Sequence, residues 1–425
     1  MGKIKILCYH NISNEKYDYN NTRVFVNSFE SQIKYIKKHF DVIRLSDIYD
    51  KVSKNGRDTV VITFDDGYEN IYKYALPILE KYDIPATMFI TTQNIGTVYG
   101  NWMDNLTRSI FEPLTNHNCY EINDDLLHGH WYTRSFEEKN NFYQDIKFLF
   151  KHISKEKRDK YEKELLNWAG LPQEINSDRR MLSEKELQCL STNKLISLGA
   201  HSVSHSALNY IDKEEQKWEI YQSQKALEKI TSQKIQLFAY PFGTNKDFSN
   251  ITISILKKYG INMAVMVSDE EISYNMDRYK ISRQIMPNIV GKDLDKFFTD
   301  LFTNNVQSKP CLEQNNNLFI GKIAEDETLF NTNSKFIIWG SGYWGENLFC
   351  QLQLYMLSDR VIAFGDNDEN KQGKFFFDKP IYSKKEVAQL SKKEDILILV
   401  KNSKDLEICL DLYKYGFSKI HIIAR

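Results

Sequence analysis

The chain has 425 residues, 42% of them hydrophobic and 27% charged, with a formal net charge of -1. That is enough chain for two or three domains with real cores, and the charge balance gives no electrostatic case for nucleic acid or an anionic membrane as the main partner. Six cysteines (Cys8, Cys119, Cys189, Cys311, Cys350, Cys409) lack CxxC spacing, which fits free thiols in a reducing compartment better than a disulfide framework.

The opening "MGKIKILCYHNI" alternates like a strand, and Ile4–Tyr9 is the first predicted strand, ending at His10. It carries no leader-type apolar core, and no run reaches the roughly 18 apolar residues of a membrane span. Cytoplasmic residence without a membrane span is therefore the expectation. "SFESQIKYIKKHF" has helical spacing with Ser28 as a cap, and "VIRLSDIYD" leads from a strand or turn into a helix. Thr59–Phe64 is a strand, "ENIYKYALPILEKYDI" a helix that Pro77 kinks or starts irregularly, and "PATMFITT" the next strand. Strand, helix, strand in this order predicts a parallel βαβ unit.

Residues 99–180 break the rhythm. They read as an insertion with one or two amphipathic helices in "FEEKNNFYQDIKFLFKHISKEKRDKYEKELLNWAG". Alternation resumes with a helix at "MLSEKELQCL", where Ser183 and Glu186 form a capping-box pattern. Then come a strand "LISLGAHS", a helix "EEQKWEIYQSQKALEKI", a strand "IQLFAYPFG", a helix "NITISILKKYG" and a strand "INMAVMV". Residues 303–334 read as a linker. A second α/β unit follows over 335–425, with strands at "KFIIW", Val361–Phe364, Asp395–Val400 and Ser418–Ile423 and a helix near Lys404–Tyr415.

Two stretches carry chemistry in the first unit. "VVITFDDGYEN" ends a buried strand in adjacent acids, Asp65 and Asp66, whose mutual repulsion and desolvation call for compensation by a cation. "GAHSVSHSAL" holds His201 and His205 four apart, on one face of a helical turn if the segment is helical. Taken singly, a DD-G turn can cap a helix, and a chance pair among nine histidines is no site. Together they follow two predicted parallel strands, whose carboxyl ends gather active sites. Two imidazoles and one carboxylate make a three-ligand metal site with room for water. The second carboxylate is then free to act as a general base.

"TFDDGY", "HSVSH" and "FAYPFG" together resemble the polysaccharide deacetylase family, over roughly residues 1–300 apart from the insertion. The resemblance implies an α/β fold, a distorted (β/α) barrel over 1–302, that removes N-acetyl groups from amino sugars with a divalent metal, zinc first and Co, Ni, Mn or Fe as alternatives. Carried over by position, Asp65 resembles the catalytic base, and Asp66, His201 and His205 the metal ligands. The backbone N–H of Phe242 resembles the oxyanion donor. Where the family often has the arginine that orients the base, this chain has Ala239; Arg283, in "RYKISRQIMP", resembles a later arginine and is the substitute, with a surface or linker salt bridge as the other reading. The usual acid histidine after the third motif is missing. "ILCYHNI", however, resembles the start of the biofilm poly-N-acetylglucosamine deacetylases, a branch in which the barrel is circularly permuted. His10 is then the acid that protonates the leaving nitrogen, against a plain turn histidine. Tyr9, Tyr68, Tyr240 and Phe242 flank the motifs as stacking or core residues, and Trp102 and Asp104 open the insertion as a cover for the pocket.

In the second unit "GSGYWG" matches G-x-G-x-x-G through Gly340, Gly342 and Gly345, with Asp366 ending the next strand 21 residues on. The region resembles a small Rossmann-like domain attached to glycan-biosynthesis enzymes, with "GDNDENKQGKFFFDKPIY" as its signature. A nucleotide or nucleotide-sugar site is one reading, and a structural or docking domain the other. The leading function is deacetylation of a nucleotide-linked, lipid-linked or short N-acetylated amino sugar in bacterial surface-glycan synthesis. Hydrolysis of a non-sugar amide and a non-catalytic glycan- or nucleotide-binding role are the alternatives. The oligomeric partner is open.

Overall fold

The structure, a computed structural model, describes residues 2–14, 22–51, 57–123, 128–175, 179–268, 270–273, 276–303, 318–321, 334–341, 345, 348–349, 352, 357–401, 408, 411–412, 415–417 and 419–423. Two compact units comprise residues 1–112 with 150–308, and 113–149 with 309–425. The segment expected as one insertion is thus divided between them.

In the first unit, strands β1 (Ile4–Tyr9), β2 (Thr59–Phe64), β3 (Ala86–Ile90), β4 (Ile196–Ala200), β5 (Leu237–Ala239), β6 (Met263–Val267) and β7 (Ile281–Ile285) pair in parallel in the order β1-β7-β6-β5-β4-β3-β2. Six register pairs from Ile4↔Thr59 to Tyr9↔Phe64 join β1 to β2 and close the ring. A short strand at Asp41–Val42 pairs with the start of β2 outside it. The expected (β/α) barrel is present. Strand β7 was not foreseen, although Ile281 and Ile285 flank Arg283 with strand alternation.

Period-two alternation sorts the strands' side chains into two cores. Leu7, Tyr9, Val60, Ile62, Phe64, Met88, Ile90, Leu198 and Phe238 pack outward under the helices. Ile4, Ile6, Val61, Phe89, Ala239, Met263, Val265 and Ile281 form a separate cluster on the opposite set of positions, the barrel interior. Each such fully buried aliphatic stabilises the fold by about 1.5–3 kcal/mol relative to exposure. The interior set continues along each strand to polar residues at the carboxyl end: Cys8 after Ile6, Thr63 and Asp65 after Val61, Arg283 after Ile281. The chemistry gathers where the apolar filling stops.

The helices of the chain from α1 to α9 are α1 (Val26–His39), α2 (Leu76–Tyr82), α3 (Trp102–Phe111), α4 (Phe136–His152), α5 (Lys155–Trp168), α6 (Glu184–Thr192), α7 (Lys213–Thr231), α8 (Asn250–Lys258) and α9 (Lys292–Thr303); residues 136–149 of α4 fall in the second unit. Helix α1 starts two residues before Ser28, with Phe25 as an N-cap lacking a side-chain bond, so Ser28 is interior. Helix α2 is preceded by a π-helical stretch, Ile71–Ala75, and carries Pro77 in its first turn, where no N–H is missed. The Ser183–Glu186 capping box closes α6.

In the second unit, strands β8 (Leu318–Gly321), β9 (Lys335–Trp339), β10 (Val361–Gly365), β11 (Phe375–Phe376), β12 (Lys379–Tyr382), β13 (Ile396–Val400) and β14 (Ile420–Ile423) form a sheet in the order β8-β14-β13-β9-β10-β12-β11. It is parallel except for the β11–β12 edge. Strand β8 falls inside the stretch read as linker. Most of the predicted helix near Lys404–Tyr415 lies outside the described residues. The unit also holds a hairpin, Cys119–Asn123 with His128–Tyr132, that helical spacing did not announce. Its Trp131 indole donates to Asp145 on α4 at 3.0 Å. No described helix is long and apolar enough to cross a membrane.

Candidate active site

Asp65 and Arg283 meet at the carboxyl end of the barrel interior. Arg283 donates Nη1 to Asp65 Oδ1 and Nη2 to Oδ2, both at 2.6 Å, and both residues are buried. Nη1 also reaches Thr63 Oγ1 at 3.1 Å, whose hydroxyl donates to the Leu7 carbonyl at 2.8 Å. The surface salt bridge considered for Arg283 is thus replaced by a fully desolvated fork, the geometry in which guanidinium and carboxylate bind best. Burial raises the Asp65 pKa, but the Arg283 charge, His201 and the guanidinium hydrogen bonds outweigh it and hold the carboxyl well below its usual range.

Asp66 faces a different set. Its backbone turns away from the strand at φ 72, and Gly67 follows at φ 88, where a Cβ would stand 2.9 Å from Ile90. Only glycine fits that second position. Asp66 Oδ1 lies 3.7 Å from His201 Nε2 and 3.5 Å from His205 Nε2, and finds no hydrogen-bond partner among the described residues. Burial, then the neighbouring Asp65 and Asp104 charges, push its pKa well up. His201 Nδ1 sits 2.8 Å from the Ala239 carbonyl, which requires the proton there and turns the Nε2 lone pair inward. Burial lowers the His201 pKa, and burial with the His201 and Arg158 charges lowers that of His205 further.

One donor atom from each of Asp66, His201 and His205 falls within 4.8 Å of the others. Donor atoms about 2.0–2.1 Å from a tetrahedral zinc stand about 3.4 Å apart, close to the two Asp66 separations. A buried acid without a donor, facing two neutral imidazoles, is a donor set that fits a divalent cation. The histidines do not share a helical turn as the spacing suggested. They follow β4 in an irregular loop, with Ser202 at φ 61 and His205 at φ 54.

His10 joins Cys8 and Asp65 in a second cluster within the same limit. Cys8 Sγ is 3.5 Å from Asp65 Oδ2, and burial keeps its thiol protonated. Phe242 adopts φ 62, and its ring lies 4.8 Å from His205. Trp102 stands 6.4 Å from His205 and 6.2 Å from Phe242, while Tyr68 donates to Asp104 at 2.7 Å. Tyr9 and Tyr240 are core residues, against Phe29 and Phe64 and stacked on Phe248 respectively. Sequence reasoning did not single out Thr63, Cys8, Arg158 or Glu219. The signal for Arg158 and Glu219 is a charge on a buried helix face, beside Tyr161 and Leu165 in α5 and beside Ile220 and Ser223 in α7.

In the second unit Gly340 takes φ 111, and a Cβ on Gly345 would lie 1.9 Å from the Gly340 carbonyl. Gly342 lies outside the described residues. Asp366 Oδ2 accepts from the Ser341 N–H at 2.9 Å and hydroxyl at 2.5 Å, and Lys371 Nζ stands 3.3 Å away. Burial raises the Asp366 pKa, but these bonds, the Asp368 N–H and Lys371 outweigh it and lower it.

Residues 53–134 and 151–266 match the family model described as Polysaccharide deacetylase. The matched residues include Asp65, Asp66, His201, His205 and Phe242. Over 79 residues the chain is 46% identical to poly-beta-1,6-N-acetyl-D-glucosamine N-deacetylase of Staphylococcus aureus (strain MSSA476), a match covering 18% of this chain and only 27% of that relative. Two solved structures described as a polysaccharide deacetylase and as IcaB are also similar. One from Bacillus cereus is 17% identical, with a TM-score of 0.45, over 70% of this chain and 69% of that one. IcaB from Ammonifex degensii is 14% identical, with a TM-score of 0.44, over 71% and 97%. Residues 332–423 match a different family model, described as C2185-like, N-terminal. The resemblance to glycan-biosynthesis domains has no counterpart in that match.

Proposed function

We propose that the deacetylase barrel is a metal-dependent N-deacetylase acting on an N-acetylated amino sugar of a glycan. The observation that carries this reading is the division between two adjacent buried acids. Asp65 is paired with Arg283, while Asp66 faces two neutral imidazoles without a donor. Asp66, His201 and His205 would hold the cation, zinc by donor type. When bound, it acidifies water and polarises the acetyl carbonyl.

The remaining roles fall to the chain. Asp65, kept ionised by Arg283, takes the proton of the attacking water. Its low pKa makes it a weak base on its own. The Phe242 N–H donates to the oxyanion. His10, beside Asp65, protonates the leaving nitrogen, and acetate and a free amine depart. For the C-terminal unit the better supported reading is structural or docking, because Asp366 is already engaged by its own glycine turn.

The test is metal content paired with acetate release from free, nucleotide-linked and oligomeric N-acetyl sugars. One divalent ion per barrel and chelator-sensitive release from one substrate class is the expected result. Release that survives complete metal removal, or a barrel that takes up no metal, overturns the reading.

A further inference from the structure

The loop that carries His201 and His205 holds two non-glycine residues in left-handed backbone, Ser202 and His205. Such conformations persist where surroundings over-determine them. Here the surroundings are two buried charges. Glu219, fully buried on α7, accepts through Oε2 from the Val203 N–H at 2.8 Å and the Ser204 N–H at 2.9 Å. Its Oε1 accepts from the Ser204 hydroxyl and lies 3.5 Å from that of Ser206. Arg158, buried on α5, donates Nη2 to the Ser204 carbonyl at 3.1 Å and to Ser204 Oγ at 2.8 Å, and Nη1 to Ser206 Oγ at 3.1 Å. The His205 N–H donates to Ser202 Oγ at 3.0 Å, completing the loop's internal bonding.

We propose that Glu219 and Arg158 are positioning residues of the metal centre, a buried acid–serine–guanidinium clamp that sets the ligand geometry of the His201–His205 loop; this rests on the deacetylase reading above. The hydroxyl protons can be placed without conflict, with Ser206 Oγ 2.9 Å from Ser204 Oγ. The Ser204 hydroxyl spends its one proton on Glu219 and so can only accept from Arg158. The two charges offset each other, so the clamp adds no net charge beside Asp66. It also gives the segment 150–180 a role, because Arg158 brings α5 onto the loop. Arg158 lies 5.3 Å over the Trp102 ring, which in turn stands beside His205.

The test is zinc affinity by chelator competition on metal-stripped protein, with the cobalt(II) absorption spectrum as a report on ligand geometry. Glu219→Ala, Arg158→Ala and the milder Ser204→Ala are compared with wild type, with metal-free melting curves as the folding control. Folded variants should bind zinc roughly 10–100-fold more weakly and show an altered cobalt spectrum, as losses around metal ligands do, with Glu219→Gln recovering part of the loss. If Glu219→Ala and Arg158→Ala do not fold, Ser204→Ala, which removes a hydroxyl shared by both charges, decides the matter. Tight zinc binding by wild type with the same affinity and spectrum in the folded variants overturns the clamp alone. Failure of wild type to bind metal overturns the deacetylase reading and the clamp with it.

Discussion

Both units place an acid beside a signalled turn, and the two acids differ in what surrounds them. Asp66 at the barrel mouth is buried and faces two histidine Nε2 atoms, and its Oδ1 finds no hydrogen-bond partner among the described residues. Asp366 beside the glycine turn accepts from Ser341 twice and has Lys371 alongside. A motif's spacing locates an acid; its partners decide whether it still needs one. On that measure the barrel site fits the proposed cation, and the acid at the glycine turn already has partners.

The strongest way to break the contrast is to remove the barrel acids one at a time. His201→Ala and Asp66→Ala should abolish metal binding. Asp65→Asn should keep the metal but lower acetate release by about 10²–10⁴-fold, the usual range for a general base. Full turnover by Asp65→Asn would remove it from the chemistry.

A second test targets the fork on Asp65. Arg283→Met leaves a buried carboxylate unpaired, which costs about 3–5 kcal/mol and should appear as a large drop in melting temperature. Adding Asp65→Asn to that variant should restore part of the loss, because the charge left stranded is gone. A strictly additive double variant would mean the pair is not coupled.

Effects in the second unit should be smaller. Asp366→Ala should cost about 1–2 kcal/mol at neutral pH through lost charge-assisted bonds. The folded Asp366 pKa is lowered, so its contribution is complete above the unfolded value of about 4 and fades as pH falls through the lower folded value. Denaturation of wild type and variant should therefore converge in acid; a gap that widens there contradicts the stated pairing. The smallest effect expected is none. Titration with UDP-sugars and NAD to millimolar concentration should give no binding heat, and saturable binding would reopen the nucleotide reading and weaken the contrast.

Much of the site was legible because its signals are local. Local patterning marked β1 and β2 at their observed ends and β4 to within two residues, and "DDG" and "HSVSH" followed the carboxyl ends of two of those strands. The misreadings also have local causes. Four-residue spacing suggested a helical turn for the histidines, but the loop is held open from outside. The hairpin at Cys119–Tyr132 was hidden in a segment whose aromatic and charged residues suit helices as well as strands.

By itself the sequence determined the parallel strand–helix rhythm, the strand end that carries Asp65, and the donor types of the proposed metal set. These follow from side-chain period and residue chemistry, which need no distant partner. Only the tertiary structure decided which acid is paired and which is not. Arg283 reaches Asp65 across 218 residues because ring closure sets β7 and β2 on either side of β1. Glu219 and Arg158 converge on one loop because two helices pack there. Charge pairing in a buried site is a property of closure and packing, and neither is written in any single stretch of the chain.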